Sequence, residues 1–406
     1  MIRAVSGAAG LRGPAAFVFF GRLVALGTGI LTALLASRVL GADGRGVVVT
    51  FAAVQFLLAT GLALGTGSAA YLLTSRRDLP VPAIVGGVML VGGAIGIASA
   101  VVAGAAIATG INRQLLPDVA DAVALLIAPA AASQYVATTM VQMAMGSARP
   151  KTTMVALALS PVLLLVATAS VAAVGGGAGE MIAAYTIAWA VAAGIAGIVV
   201  SRSVSMRLAT ARRLVVVGSP AALGDLANAL SYRSDVLVLS LLAGPAAVGV
   251  YALAVQALEP LWILAGSAAG GLLISLPSQP QQTWKPTVVG ATLRISALTL
   301  VGAIAVVALM PIMVTAAGPG FEAAPIVALA IAPAIVLLAA SKTLSVVQLV
   351  SGRLGWSTLI SGASLALNLA ANVALIPLLG AVGAGLASVV SYGSSAALWT
   401  WALRRR

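Results

Sequence analysis

GSPAALGDLANALSYRSDVLVLSLLA, residues 218–243, sets Asp225, Arg233 and Asp235 inside a stretch otherwise built from apolar and small residues. A water-soluble protein would turn such groups to its surface. Here the mean hydropathy of the whole chain is +1.13, so the stretch reads as a membrane crossing. An ionisable side chain at mid-helix costs about 2.5–3.5 kcal/mol on insertion scales, and where one persists it marks a path for a polar substrate or an ion.

The rest of the chain has the same character. Of 406 residues, 61% are hydrophobic and 8% charged, against about a quarter charged in soluble domains. A spanning helix needs roughly 20 mostly apolar residues. Such runs fall at 14–40, 47–74, 83–110, 120–147, 152–174, 181–201, 218–243, 246–275, 287–315, 323–350, 355–378 and 380–403, twelve in all. The short alternating segments of an outer-membrane barrel are absent. The fold class is therefore an all-α polytopic membrane protein. The run after Arg12 is too long for a cleaved signal and is read as a retained first span. Cysteine and histidine are both missing, so no disulfide, thiol chemistry, cofactor or metal site is expected. Proton chemistry is left to carboxylates.

The net charge of +13 is set by topology. Arg3, Arg12, Arg76, Arg77, Arg149, Lys151, Arg202, Arg207, Arg212, Arg213, Lys285, Arg353, Arg404, Arg405 and Arg406 all fall on one side of the alternating spans. The opposite gaps hold Arg45 and Arg113, with Arg38 at a span end, beside Asp43, Asp118, Asp121, Glu180 and Glu322. The positive-inside rule then puts both termini in the cytoplasm of a multi-pass protein of the cell membrane. The charge faces anionic headgroups of membrane lipids, and no nucleic-acid partner is implied.

A shift of 203 lays Gly21, Gly41 and Gly46 on Gly224, Gly244 and Gly249. At 204, Ile127 to Ala130 meets Ile331 to Ala334, and at 206 Val141, Gln142 and Gly146 meet Val347, Gln348 and Gly352. The near-constant offset predicts two copies of one six-helix unit, 1–201 and 218–406, joined by a basic cytoplasmic linker at 202–217. An even number of spans gives both copies the same orientation, an arrangement that transporters use to rock about a central site. Short loops leave little room outside the bilayer for a glycan polymerase or transferase. Asp43 reads as a turn residue in Gly41-Ala42-Asp43-Gly44, and Gly146 to Thr152 lacks the glycine before lysine of a phosphate loop. No catalytic residue is assigned.

Four segments carry a resemblance. Ser37-Arg38-Val39-Leu40-Gly41-Ala42-Asp43-Gly44-Arg45-Gly46 resembles the first external turn of the polysaccharide flippases, O-antigen and exopolysaccharide type, of the multidrug/oligosaccharidyl-lipid/polysaccharide exporter superfamily. Tyr232-Arg233-Ser234-Asp235, with Gly244 and Val248 to Ala254, is similar to their seventh-to-eighth span signature, and Glu259-Pro260-Leu261-Trp262 continues it. Asn372 to Pro377 with Gly380, Gly383 and Ala384 resembles their eleventh-to-twelfth pattern. The resemblance implies two six-helix bundles in a pseudo-two-fold, V-shaped arrangement. It implies a flippase that turns undecaprenyl-(pyro)phosphate-linked oligosaccharides from the cytoplasmic to the outer leaflet, driven by H+ or Na+, with a polysaccharide polymerase or glycosyltransferase as partner. Lipid II flippases of the superfamily carry two spans more than the twelve counted here. The multidrug cation antiporters also have twelve and form the alternative reading, ahead of a membrane-embedded polymerase or transferase.

A phosphate headgroup and its sugars need a hydrated, cationic cavity, and arginine grips phosphate with two parallel donors. Arg22, Arg233 and Lys342 are the candidate substrate contacts, with Asn228 and Tyr232 beside them; Arg294 reads as an interfacial anchor. Arg233 stands about 15 Å from the end of its span at 1.5 Å per residue, too deep to snorkel easily. On a helical wheel Asp225, Asn228, Ser231, Tyr232 and Asp235 share one stripe, which should face the bundle interior or water. The 203 shift puts Arg22 at the counterpart of Asp225, which predicts a charge pair acting as a gate. Asp225, Asp235 and Glu259 are the ion-coupling or gating candidates, Glu259 because the adjacent Pro260 weakens its helix. Arg233 and Asp235, two apart, point away from each other, so Glu259 or substrate is the expected partner of Arg233. Asn368 and Asn372 read as glue between helices.

Overall fold

The computed structural model describes residues 14–351 and 354–404; Arg3, Arg12, Gly352, Arg353, Arg405 and Arg406 lie outside them. Ten described helices are long and apolar enough to cross a membrane. Two of these, Phe17–Gly61 and Leu208–Ser278, run 45 and 71 residues, each length enough for two crossings of a core about 30 Å thick. The twelve expected spans are therefore present, and no described residue forms a strand. Helix is the outcome lipid enforces, since it satisfies every backbone group within the segment.

Each long helix is broken at one glycine. Gly41 has φ 65 and ψ −175, and Gly244 has φ 81 and ψ 176. These lie in a region essentially closed to side-chain-bearing residues. The two glycines are the pair that the shift of 203 superposes, so the repeat seen in sequence is also a repeat in backbone conformation. Close approach repeats it again. A side-chain carbon at Gly46 would collide with the Pro245 carbonyl, and one at Gly249 would collide with the Ala42 carbonyl. The same shift exchanges Gly46 with Gly249 and Ala42 with Pro245, so the contact is reciprocal.

The chain divides into two compact units, one from residues up to Val39 with Phe51–Ala229, the other from Leu40–Thr50 with Leu230–Arg406. In the first, Ile127–Gly146 packs against Ala178–Val200 and Val81–Thr109, and Pro150–Val174 against Ala178–Val200. In the second, Ala324–Val350 packs against Ala381–Arg404 and Gln281–Ala317, and Leu354–Leu379 against Ala381–Arg404. These are corresponding helices meeting in corresponding pairs. The first core is centred on Ile84, Val88, Ile95, Tyr135, Met140 and Met143. The second gathers Leu276, Trp284, Val288, Leu344, Val347 and Trp399.

Three details differ from the sequence reading. The second span is interrupted at 62–65, where Leu64 has φ 50 and Gly65 φ 72, and helix resumes at Thr66–Ser75. The basic segment 202–217 is extended only at its start, where the Ser205 N–H donates to the Pro82 carbonyl at 2.9 Å; helix begins at Leu208. Arg45, placed among the gap cations, is buried at 4% exposure, and its Nη2 donates to Gln256 Oε1 at 2.6 Å. A guanidinium beside the Gly41 break reaches the amide because the next span comes close at Gly249.

Candidate functional site

The spans themselves supply most of the candidate charges. Away from span ends, the ionisable side chains of the first unit are Arg22 and Asp225, and those of the second are Arg233, Asp235, Glu259, Arg294 and Lys342. In the first unit Arg22 is exposed on its helix and Asp225 is half-buried. Asp225 makes no hydrogen bond or ion pair with another described residue, so the expected charge pair with Arg22 is not formed in this conformation. Asn228 is exposed. The polar stripe 225–235 is thus shared out: Asp225 and Asn228 belong to the first unit, Ser231, Tyr232 and Asp235 to the second.

The second unit draws its charges together around the Gly244 break, which turns residues 230–243 back toward 246–262. Asp235 is buried at 9% exposure. It accepts a short hydrogen bond from the Tyr251 hydroxyl, and its Oδ1 takes the Val236 N–H at 2.8 Å. Arg233 is half-buried and stands near enough to Glu259 and Asp235 to act on both electrostatically. Glu259 keeps an exposed surface. Beside Asp235, Ser234 Oγ donates to Asn368 Oδ1 at 3.3 Å and Asn372 Nδ2 donates to the same oxygen at 2.9 Å. The two asparagines tie their span to Ser234, while Asn372 Oδ1 is buried without a hydrogen-bond partner.

Lys342 is held differently. Its Nζ donates to the Tyr232 hydroxyl at 3.3 Å, long for a charge-assisted bond. It stands 5.8 Å from the Tyr232 ring centre and 5.6 Å from that of Trp262, near the outer limit of about 6 Å for a cation–π contact. The two rings meet at 4.4 Å between centroids, tilted by 54°. An ammonium has three donors, and among the described residues one is engaged and no carboxylate faces it. Lys342 is thus a half-buried cation in want of an anion.

No group of three or more His, Cys, Asp or Glu among the described residues could hold a metal. The sequence reading missed Tyr251, Trp262 and the burial of Arg45. Tyr251 and Trp262 were visible only as parts of motifs, because their partners are set by the fold at Gly244.

No protein-family model and no curated protein matches the sequence. Solved structures do. The lipid II flippase MurJ in an inward closed conformation superposes with a TM-score of 0.76 at 12% identity, over 96% of this chain and 87% of that one. An inward-facing multidrug resistance MATE family transporter of the MOP superfamily gives 0.71 at 16% identity, over 95% and 96%. The MATE multidrug transporter DinF-BH gives 0.65 at 15%, over 97% and 95%. At these identities the likeness shows the fold. This chain is an all-α polytopic membrane protein with the fold of those transporters.

Proposed function

We propose that the chain is a flippase for an anionic, lipid-linked oligosaccharide, an undecaprenyl-(pyro)phosphate carrier and its glycan, moved from the cytoplasmic to the outer leaflet by alternating access. In this reading the halves 1–201 and 218–406 rock about the site, the linker 202–217 and both termini lie in the cytoplasm, and the protein serves cell-surface polysaccharide export beside a polymerase or glycosyltransferase. One observation carries it. Lys342 is a cation within a spanning helix that, among the described residues, faces aromatic rings and no acid. The phosphate of a carrier lipid supplies the missing charge, and Arg22, Arg233, Asn228 and Tyr232 are the further contacts proposed for it.

Transport against a gradient needs coupling to an ion. Asp235 is the proposed coupling group, since its carboxyl is buried within a span beneath the Tyr251 hydroxyl. Glu259 and Asp225 are proposed to gate, Glu259 by exchanging Arg233 with the incoming phosphate. The drug-antiporter reading fits less well, because the Tyr232–Trp262 pair that would stack a cationic drug already faces an ammonium. Deleting the gene in its own host tests the proposal. A carrier-linked oligosaccharide should build up in the cytoplasmic leaflet; altered drug sensitivity with no such accumulation would refute it.

A further inference from the structure

The same site carries a finer statement about its substrate, which rests on the flippase reading. Tyr232 and Trp262 come from spans joined by the Gly244 break and form a wedge, with centroids 4.4 Å apart and planes 54° apart. Both residues are half-buried, so their rings are not consumed by core packing. The Lys342 ammonium stands at the rim of the wedge, 5.6 Å from the indole centre. A bare phosphate would need the ammonium alone. An isoprenoid tail would need apolar surface alone, which lipid already provides. A cation set one ring's width from an aromatic face suits a group that is anionic at one end and flat and apolar on one side.

We propose that Lys342, Tyr232 and Trp262 form the subsite for the phosphosugar junction of the substrate. A phosphate oxygen takes the Lys342 ammonium, and the first pyranose lays its C–H face on the Trp262–Tyr232 wedge. The phosphate is bonded to that ring through a single oxygen, so its cation and the ring's aromatic platform must stand side by side, as Nζ and the indole do at 5.6 Å. The Tyr232 hydroxyl, which accepts from Lys342, keeps its own proton to offer to a ring hydroxyl or phosphate oxygen. Burial of the sugar's apolar face on an indole adds affinity that the bare phosphate lacks.

The test measures binding of three probes to the full-length protein in nanodiscs: polyprenol, polyprenyl phosphate, and polyprenyl phosphate bearing one hexose. The native chain should bind the phosphate lipid about tenfold more tightly than the alcohol, and the hexose-bearing lipid about tenfold more tightly again. In W262L the preference for the sugar-bearing lipid should vanish, while W262F keeps part of it. In K342Q both phosphate lipids should fall to the level of the alcohol, and K342R should restore them. A sugar preference that is absent in the native chain, or survives W262L, overturns the subsite and leaves the anionic-carrier reading in place. Phosphate lipids binding no better than polyprenol in the native chain would overturn both.

Discussion

The two compact units share one packing plan and differ in what they place inside it. The first satisfies its interior with neutral groups: Thr66 Oγ1 and the Tyr135 hydroxyl at 2.7 Å, Thr168 Oγ1 and Tyr185 at 2.9 Å, and Gln55 Nε2 donating to the Ala130 carbonyl at 3.2 Å. The second holds Asp235 under Tyr251, Arg233 near Glu259, and Lys342 over two rings. At a shift of 203, the counterparts of Arg233, Asp235 and Glu259 are Ile30, Thr32 and Phe56; at 204, that of Lys342 is Thr138. The scaffold has been kept in both halves, while these four charges stand in the second only; the first keeps Arg22 and Asp225. At about 2.5–3.5 kcal/mol for each charged group at mid-helix, these four are costly, and they are the reason the proposed site is set in the second unit.

The comparison can be broken at several points. The largest effect is expected where the repeat meets itself. Gly249→Val and Gly46→Val each drive a side chain into a backbone carbonyl that no rotamer can avoid, so each should cost about 3 kcal/mol or more. Thermal unfolding in detergent should show both variants melting well below the native protein or failing to accumulate. Equal sensitivity of the two would confirm the reciprocal contact; tolerance of either would break it. Next comes Arg45→Ala, which removes a buried guanidinium and leaves the half-buried Gln256 amide without its charged donor, and should lower stability by about 1.5–3 kcal/mol, read from the same melting curves.

A smaller effect is expected in the first unit. Thr66→Val removes two neutral hydrogen bonds, to the Ala63 carbonyl and the Tyr135 hydroxyl, and should cost about 1–3 kcal/mol while leaving transport unchanged, measured as flipping in proteoliposomes. A transport defect as deep as that of Asp235→Asn would erase the distinction between the units. The smallest effect belongs to Glu322, exposed in the loop before Ala324. Its own N–H and that of Gly320 hold its carboxyl below the usual glutamate range. A depressed value means the loop's extra order is present above the unfolded value and is lost as pH falls through the folded one. Protection of the Gly320 amide, its exchange rate relative to the intrinsic rate at the same pH, should therefore fall on acidification, and Glu322→Gln should remove that loss of protection.

The scaffold was largely legible in the sequence, because its signals are local or periodic. Twelve apolar runs follow from the thickness of a bilayer, and the glycine pairs 41/244 and 46/249 stand at one offset. The site was half legible. Arg233, Asp235 and Lys342 announce themselves as charges in apolar runs, but their partners do not. Tyr251 meets Asp235 because the two stand seven and nine residues on either side of Gly244, and a turn there folds one span back along the other. Counting outward from the break would have found that pair. The burial of Arg45 and the interruption at 62–65 depend on how neighbouring spans approach, which no periodicity encodes.

The central claim is that the Lys342 ammonium receives the substrate's anion. The measurement that meets it most directly is leaflet-to-leaflet transfer of a fluorescent polyprenyl diphosphate oligosaccharide in proteoliposomes, comparing native protein, K342Q and K342R. Transfer should fall by about tenfold or more in K342Q, as expected when a single charge-assisted contact is lost, and recover in K342R. Transfer by K342Q at the native rate would contradict the account.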